Sequence, residues 1–188
     1  MTHIVGIAGS LRRGSYNLSL LRAAESLMPD GATLDVRTIA GIPLYNTDDE
    51  AAAGLPPAVA ALKDAIAAAD GLVLATPEYN NGIPGAFKNA IDWASRPASD
   101  IPRVFGGKPV AVIGVTPGGF GTVLAQDAWL SVLRLLGTRP WFGGRLAVPY
   151  AGKVFTEGQL TDADVHERLR TFIGGFVQSV RERQISPQ

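Results

Sequence analysis

Cysteine is missing from this chain of 188 residues, and histidine occurs only at His3 and His166. Without thiols there is no disulfide scaffold, no thiolate zinc or iron–sulfur centre and no cysteine nucleophile. The two histidines lack ligand-spaced partners and read as surface residues, and Asp48-Asp49-Glu50 reads as a solvated loop, so no metal site is expected. An excess of either charge is missing as well. The 17 Lys+Arg balance 17 Asp+Glu, and without a basic surplus nucleic acid is not an expected partner. No apolar run approaches the roughly 18–20 residues that cross a bilayer. No basic leader precedes the first apolar stretch, so neither a signal peptide nor a membrane partner is expected and the cytoplasm is the expected compartment. What is present is ample for a core. With 46% hydrophobic and 18% charged residues, and no linker or repeat, residues 1–188 are read as a single domain.

Short apolar runs alternate with helix-period segments. Ile4-Val5-Gly6-Ile7-Ala8 reads as a buried strand, and Leu20, Leu21, Ala24, Leu27 and Met28 then line one face of a helix. Leu34, Val36 and Thr38 alternate with Asp35 and Arg37, the pattern of a strand with one wet face near a sheet edge. Residues 41–53 are polar and read as irregular. A second helix carries Leu55, Val59, Leu62 and Ile66, with Pro56 and Pro57 tolerated in its first turn. Residues 72–75 and 110–115 are continuously apolar strands, separated by a helix marked by Phe87, Ala90, Ile91 and Ala94. A fourth helix covers about residues 122–136, a fifth strand falls within 141–148, and Val165, Leu169, Phe172, Ile173, Phe176 and Val180 pattern a last helix. The alternation requires right-handed crossovers and a parallel sheet covered on both faces, that is, an α/β doubly wound three-layer domain with five strands.

In such a sheet ligands bind beyond the carboxyl ends of the central strands. With strand order 2-1-3-4-5, three loops meet there: residues 9–17, 76–85 and 116–122. The first has the parts of a phosphate cradle. Ser10, Ser15 and Asn17 offer hydrogen bonds, Arg12 a charge-assisted contact, and the start of the next helix its free N–H groups and positive dipole end. Neither the dinucleotide fingerprint nor the Walker loop is present, which favours one phosphate on a mononucleotide. The same residues also suit plain helix capping by Ser15 or Asn17, with Arg12 and Arg13 solvated. In the second loop Pro77, Gly82, Pro84 and Gly85 hold a fixed path that exposes backbone groups to a flat polar ligand, while Tyr79 and Asn80 add an aromatic face and an amide. Glu78 is its one carboxylate, and an exposed position or an arginine partner is the ordinary expectation for it. Thr116, Pro117, Gly118 and Gly119 permit close backbone approach, or simply a turn.

Together these residues carry a resemblance. Gly9-Ser10-Leu11-Arg12 with Ser15 and Asn17, Pro77-Glu78-Tyr79-Asn80, Gly82-Ile83-Pro84-Gly85 and Lys88-Asn89-Ala90-Ile91-Asp92-Trp93, followed by Gly107-Lys108-Pro109, closely resemble the NADPH-dependent FMN reductase family, the flavodoxin-like group with chromate/quinone reductases and small azoreductases. The resemblance spans roughly residues 3–150. It implies a flavodoxin-like fold and non-covalent FMN, with the phosphate at Ser10, Arg12, Ser15 and Asn17 beside Leu18. It further implies that the ring lies against Pro77, Glu78, Tyr79, Asn80 and Gly82, closed by Thr116, Pro117, Gly118 and Gly119. NADPH or NADH is the implied electron donor and a quinone, azo compound, chromate or free flavin the small-molecule acceptor. No catalytic side chain is expected, because the flavin does the chemistry. Phe87 stands where leucine is commoner in the family, and Asn81 occupies a variable position.

The fourth helix, with Trp129, Val132, Leu133, Leu135 and Leu136 beside Leu124, Ala125 and Ala128, is apolar nearly all round, and a homodimer or homotetramer is expected to cover it. Lys88, Asn89 and Asp92 suit either a subunit contact or the site rim. Two rival classes fit the same loops: a flavodoxin-like electron carrier or regulatory flavoprotein, and a flavin-free phosphate-binding scaffold. Carriers of the first kind are typically strongly acidic, whereas this chain is neutral.

Overall fold

A computed structural model describes residues 1–185. In chain order the elements are β1 (Thr2–Ala8), α1 (Tyr16–Glu25), β2 (Ala32–Thr38), α2 (Thr47–Ala53), α3 (Pro57–Ala68), β3 (Gly71–Ala75), α4 (Gly85–Ala94), α5 (Ile101–Val104), β4 (Pro109–Val115), α6 (Val123–Leu135), β5 (Arg139–Pro140), β6 (Leu146–Val148), α7 (Ala151–Val154), β7 (Phe155–Thr156), β8 (Gln159–Leu160) and α8 (Ala163–Ile185). The main sheet is parallel in the order β2-β1-β3-β4-β5, the 2-1-3-4-5 arrangement, with β6 also pairing β4. Strand β3 is buried at every position, as its unbroken apolar run requires. Strand β2 lies at the edge with a partly wet face, as its alternation predicts.

Helices cover both faces and make two separate cores. On one side α1 and α8 seal β1, β3 and β4 through Leu20, Leu21, Leu169, Phe172 and Phe176. On the other, α3, α4 and α6 bring Leu62, Ile66, Phe87, Ile91, Trp129 and Leu133 against the reverse faces of the same strands. One charge enters this second layer. Lys63, 2% exposed, pairs with Asp100 at 2.8 Å and donates to the Arg96 carbonyl, which satisfies the buried ammonium. Arg103 and then Lys63 hold the Asp100 carboxyl well below the usual carboxylate range.

Three expectations need correction. The segment read as irregular contains α2, which buries no residue and so leaves no apolar period; Asn46 caps it by accepting from the Asp48 N–H at 3.0 Å. The fifth strand is split: β5 pairs the start of β4 and β6 its end, and residues 141–145 bulge out between them. Helix α6 is not buried all round. Ala125, Gln126, Trp129 and Leu133 face inward, while Leu135 is 83% and Leu124 42% exposed.

Asn89 and Trp93 have a structural task. The Asn89 side chain donates to Pro43 O and accepts from the Tyr45 N–H, each at 2.8 Å, and the Trp93 indole N–H donates to the same Pro43 carbonyl at 2.9 Å. Helix α4 thereby holds the long β2–α3 connection, while Lys88 and Asp92 pair with each other along its surface. Among the described residues no helix is long and apolar enough to cross a membrane, and no group of three or more His, Asp or Glu is placed to hold a metal ion.

Candidate active site

The carboxyl ends of β1, β3 and β4 open into one cleft of about 210 Å³. Its walls bring together Ser10, Arg12, Ser15 and Asn17 from the first loop, Pro77, Glu78 and Tyr79 from the second, and Thr116 and Pro117 from the third. Tyr16 and Val115, which pattern reasoning did not single out, complete the lining. Leu18, Asn80, Gly82, Gly118 and Gly119 stand outside these walls. The convergence follows from topology, since the sheet order sets these three strands side by side.

The first loop is built around the start of α1. Ser15 is the N-cap and its Oγ accepts from the Leu18 N–H at 3.2 Å, leaving its own O–H free to donate. Ser10 Oγ accepts from the Arg12 N–H at 3.3 Å, folding the loop back on itself. The Arg12 guanidinium is exposed and has no carboxylate partner among the described residues. Asn17 is buried, and its amide is largely engaged: Nδ2 donates to Val115 O at 2.9 Å and Oδ1 accepts from the Val115 N–H at 3.0 Å. It thus clamps α1 to the end of β4, and keeps one N–H for a ligand.

Gly9 shows why the loop begins as it does. A Cβ there would sit 2.0 Å from the Phe87 ring, and that ring is fully buried edge-on against Trp129 with centroids 4.9 Å apart. Trp129 in turn donates its indole N–H to Thr76 Oγ1 at 3.1 Å, at the base of the second loop. A leucine at position 87 would lack this aromatic pair.

Beyond Pro77 the second loop turns sharply. Tyr79 and Gly82 exchange both backbone hydrogen bonds, at 3.2 and 3.0 Å, across Asn80 (φ 49) and Asn81 (φ 61). Two consecutive left-handed residues make a tight hairpin that asparagine tolerates better than other non-glycine residues. Both asparagines are exposed at its tip, and Tyr79 is half-exposed at its foot. Glu78 neither faces solvent freely nor pairs with an arginine. Its Oε2 accepts from the Ala125 N–H at 2.9 Å. Thr122 enters α6 left-handed and gives it no side-chain cap, so Glu78 supplies the missing acceptor and a favourable negative charge at the helix start.

The third loop is tied to residues after β6. Thr116 N–H donates to Val148 O and Thr116 O accepts from the Ala151 N–H, both at 3.0 Å, while Gly118 O accepts from the Tyr150 N–H at 3.1 Å. Tyr150 is left-handed (φ 54) and half-exposed, with the Lys153 ammonium 5.4 Å from its ring centroid. Its hydroxyl lies 2.9 Å from where a Gly119 Cβ would stand, so only glycine lets the phenol rest on this loop. Sequence reasoning missed Tyr150; a tyrosine after Pro149 in a short strand exit gives no periodic signal.

The NADPH-dependent FMN reductase family model matches residues 2–153. The chain belongs to that family. An NAD(P)H-dependent FMN reductase of Pseudomonas aeruginosa is 43% identical over 168 residues, covering 89% of each chain. A 2-hydroxy-1,4-benzoquinone reductase from a Burkholderia species is 37% identical, covering 97% of this chain and 98% of its own. Among solved structures, the Paracoccus denitrificans flavoenzyme FerB, an NAD(P)H:(acceptor) oxidoreductase, superposes with a TM-score of 0.85 at 33% identity, covering 97% and 98% of the two chains. For a member of an FMN reductase family the cleft is chemically apt. A free guanidinium, free hydroxyl donors and the first N–H groups of a ten-residue helix are what a phosphate monoester requires.

Proposed function

We propose that this chain, as one domain over residues 1–188, binds FMN in the cleft above β1, β3 and β4 and acts as an NAD(P)H-dependent reductase of quinone-type acceptors. The observation that carries the reading is the unpaired Arg12 beside the Ser10 and Ser15 hydroxyls at the start of α1, within one cleft bounded by Pro77, Tyr79 and Thr116. The names of the relatives, an FMN reductase and a benzoquinone reductase, support the donor and the acceptor class.

FMN, when bound, would supply the hydride-accepting, two-electron chemistry between the nicotinamide and the acceptor. The residues hold and orient. Arg12 and Ser10 bind the phosphate, with Ser15 and the helix N–H groups completing its shell. Asn17 fixes α1 to β4, so that the phosphate end and the ring end keep their spacing. Pro77 and Tyr79 would form the ring-side wall, with Asn80 and Gly82 of the hairpin just beyond it offering groups to the polar edge of the ring. Thr116 and Pro117 would form the opposite wall, and Gly118 and Gly119, with Tyr150 resting on the latter, continue that loop outside it. No protein acid or base takes part. The exposed Leu124 and Leu135 on α6, with Phe120 at 79% exposure before it, support a homodimer or homotetramer covering this face; the cytoplasm is the compartment we propose for it.

With a single open face serving both donor and acceptor, turnover follows a ping-pong scheme. Initial rates of NAD(P)H oxidation at several fixed benzoquinone concentrations give parallel double-reciprocal lines. Intersecting lines mean a ternary complex and refute the shared face. Absence of steady-state turnover refutes the reductase and favours an electron carrier.

A further inference from the structure

Three arginines along one helix have no carboxylate partner among the described residues: Arg12 and Arg13 just before the start of α1, and Arg22 in its last turn. Arg12 lines the cleft described above. Arg13 and Arg22 line a different concavity of about 600 Å³, between α1 and the β7–β8 hairpin. His166 of α8 and the Ser19 hydroxyl line the same space, giving two cations and two further groups able to hydrogen-bond an anion, while Ser26 spends its O–H on the Ala23 carbonyl at 2.8 Å. The lone opposing charge there is Glu157, exposed in the hairpin turn at φ 49 and in no ion pair with either arginine. Between Arg12 and this concavity the chain passes through Gly14, where an added Cβ would meet nothing within 4 Å.

NADPH and NADH differ by one group, the phosphomonoester on the adenosine 2′ oxygen, which carries close to two negative charges at neutral pH. Arginine is the side chain suited to it, because its planar fork meets phosphate oxygens in pairs. Where dinucleotide sites prefer NADP, an arginine takes the place of the carboxylate that reads the free 2′ hydroxyl. We propose that the Arg13–Arg22 cleft binds the adenosine 2′-phosphate of NADPH, so that this chain prefers NADPH to NADH. The inference rests on the nucleotide-dependent reading above and adds which donor is used and what selects it. Arg13 and Arg22 grip the phosphate, and Ser19 and His166 complete its hydrogen bonds. Glu157 opposes it, which keeps the cleft from holding the product nucleotide too tightly.

The test compares kcat/KM for NADPH with that for NADH in the flavin-loaded wild type, Arg13→Ala, Arg22→Ala and Glu157→Gln, alongside calorimetric binding of 2′-AMP, 5′-AMP and inorganic phosphate. Each arginine variant is expected to lower the NADPH:NADH ratio about tenfold or more, the loss of a charge-assisted contact. The same variants weaken 2′-AMP by a similar factor, and Glu157→Gln raises both. A ratio that the arginine variants leave unchanged, or 2′-AMP that binds no better than 5′-AMP, overturns the proposal. So does inorganic phosphate binding that responds to Arg22→Ala while the nucleotide ratio does not, since the cleft then serves another phosphate ligand. Calorimetry needs no turnover. A chain that retained no flavin would refute the reductase and still give a decisive answer here.

Discussion

Alanine in place of Arg12 weakens FMN binding by roughly ten- to a hundredfold. A charge-assisted hydrogen bond contributes about 1.5–3 kcal/mol, and each ~1.4 kcal/mol is tenfold in dissociation constant. The guanidinium has no carboxylate partner among the described residues, so its removal leaves no buried charge stranded and no fold contact broken. What goes is affinity for a phosphate. Ring-side residues 77–82 are untouched, so activity lost at low flavin returns on adding excess FMN. Quenching of flavin fluorescence by the apoprotein measures the change directly, with Arg134→Ala, in the last turn of α6, as the control. An Arg12→Ala protein that binds FMN as tightly as the wild type would mean that Ser10, Ser15 and the helix N–H groups hold the phosphate alone.

Gly9→Ala acts on the fold instead. The new methyl would stand 2.0 Å from Phe87 Cδ1 and 2.5 Å from two further ring carbons, and neither side has room to yield. The ring is wedged against Trp129, and the Gly9 N–H is tied to Ala75 O at 2.9 Å. Overpacking of this kind costs about 1–3 kcal/mol, and the immobility of both partners places this case near ~3 kcal/mol. For a chain of this length that lowers Tm by roughly 6–12 °C. Relief must come by shifting Gly9 and Ser10 or by tilting Phe87 and Trp129, and both routes disturb the flavin cleft, so affinity for FMN falls as well. The clash also predicts coupling. Phe87→Ala alone opens a cavity at about 3–5 kcal/mol, whereas the double variant loses less than the sum, by about 1 kcal/mol or more, because the methyl enters space the ring has left. Urea unfolding of the four proteins measures the cycle; strict additivity would show that Gly9 is not needed for this contact.

Both variants act through details of unequal legibility in the sequence. The continuous apolar runs of β1, β3 and β4 and the alternation of β2 are direct records of burial, so the buried centre of the sheet and its wet edge could be read from them. The site could be placed for the same reason, because topology alone decides where the three strand ends meet. Helix α2 was invisible, since a helix that buries nothing leaves no period. At the break between β5 and β6 the Trp141 ring packs on Phe172 and Phe176 of α8, with centroids 5.0 and 5.6 Å apart, tertiary contacts no window of sequence reports. Side-chain destinations were the hardest. Asn17 lines the cleft yet spends most of its amide on Val115, 98 residues away, and Glu78 is held by a helix that begins at Val123. Tyr150 meets the third loop through its own left-handed turn and Gly119, and only the folded chain brings those together.

The most direct measurement is the identity and amount of flavin carried by the purified protein. The cleft at the start of α1 offers one phosphate cradle without a dinucleotide fingerprint, so heat-released flavin run against standards is expected to be FMN, approaching one per chain once the protein is saturated. Release of mainly FAD, or failure to take up FMN at all, would contradict the account.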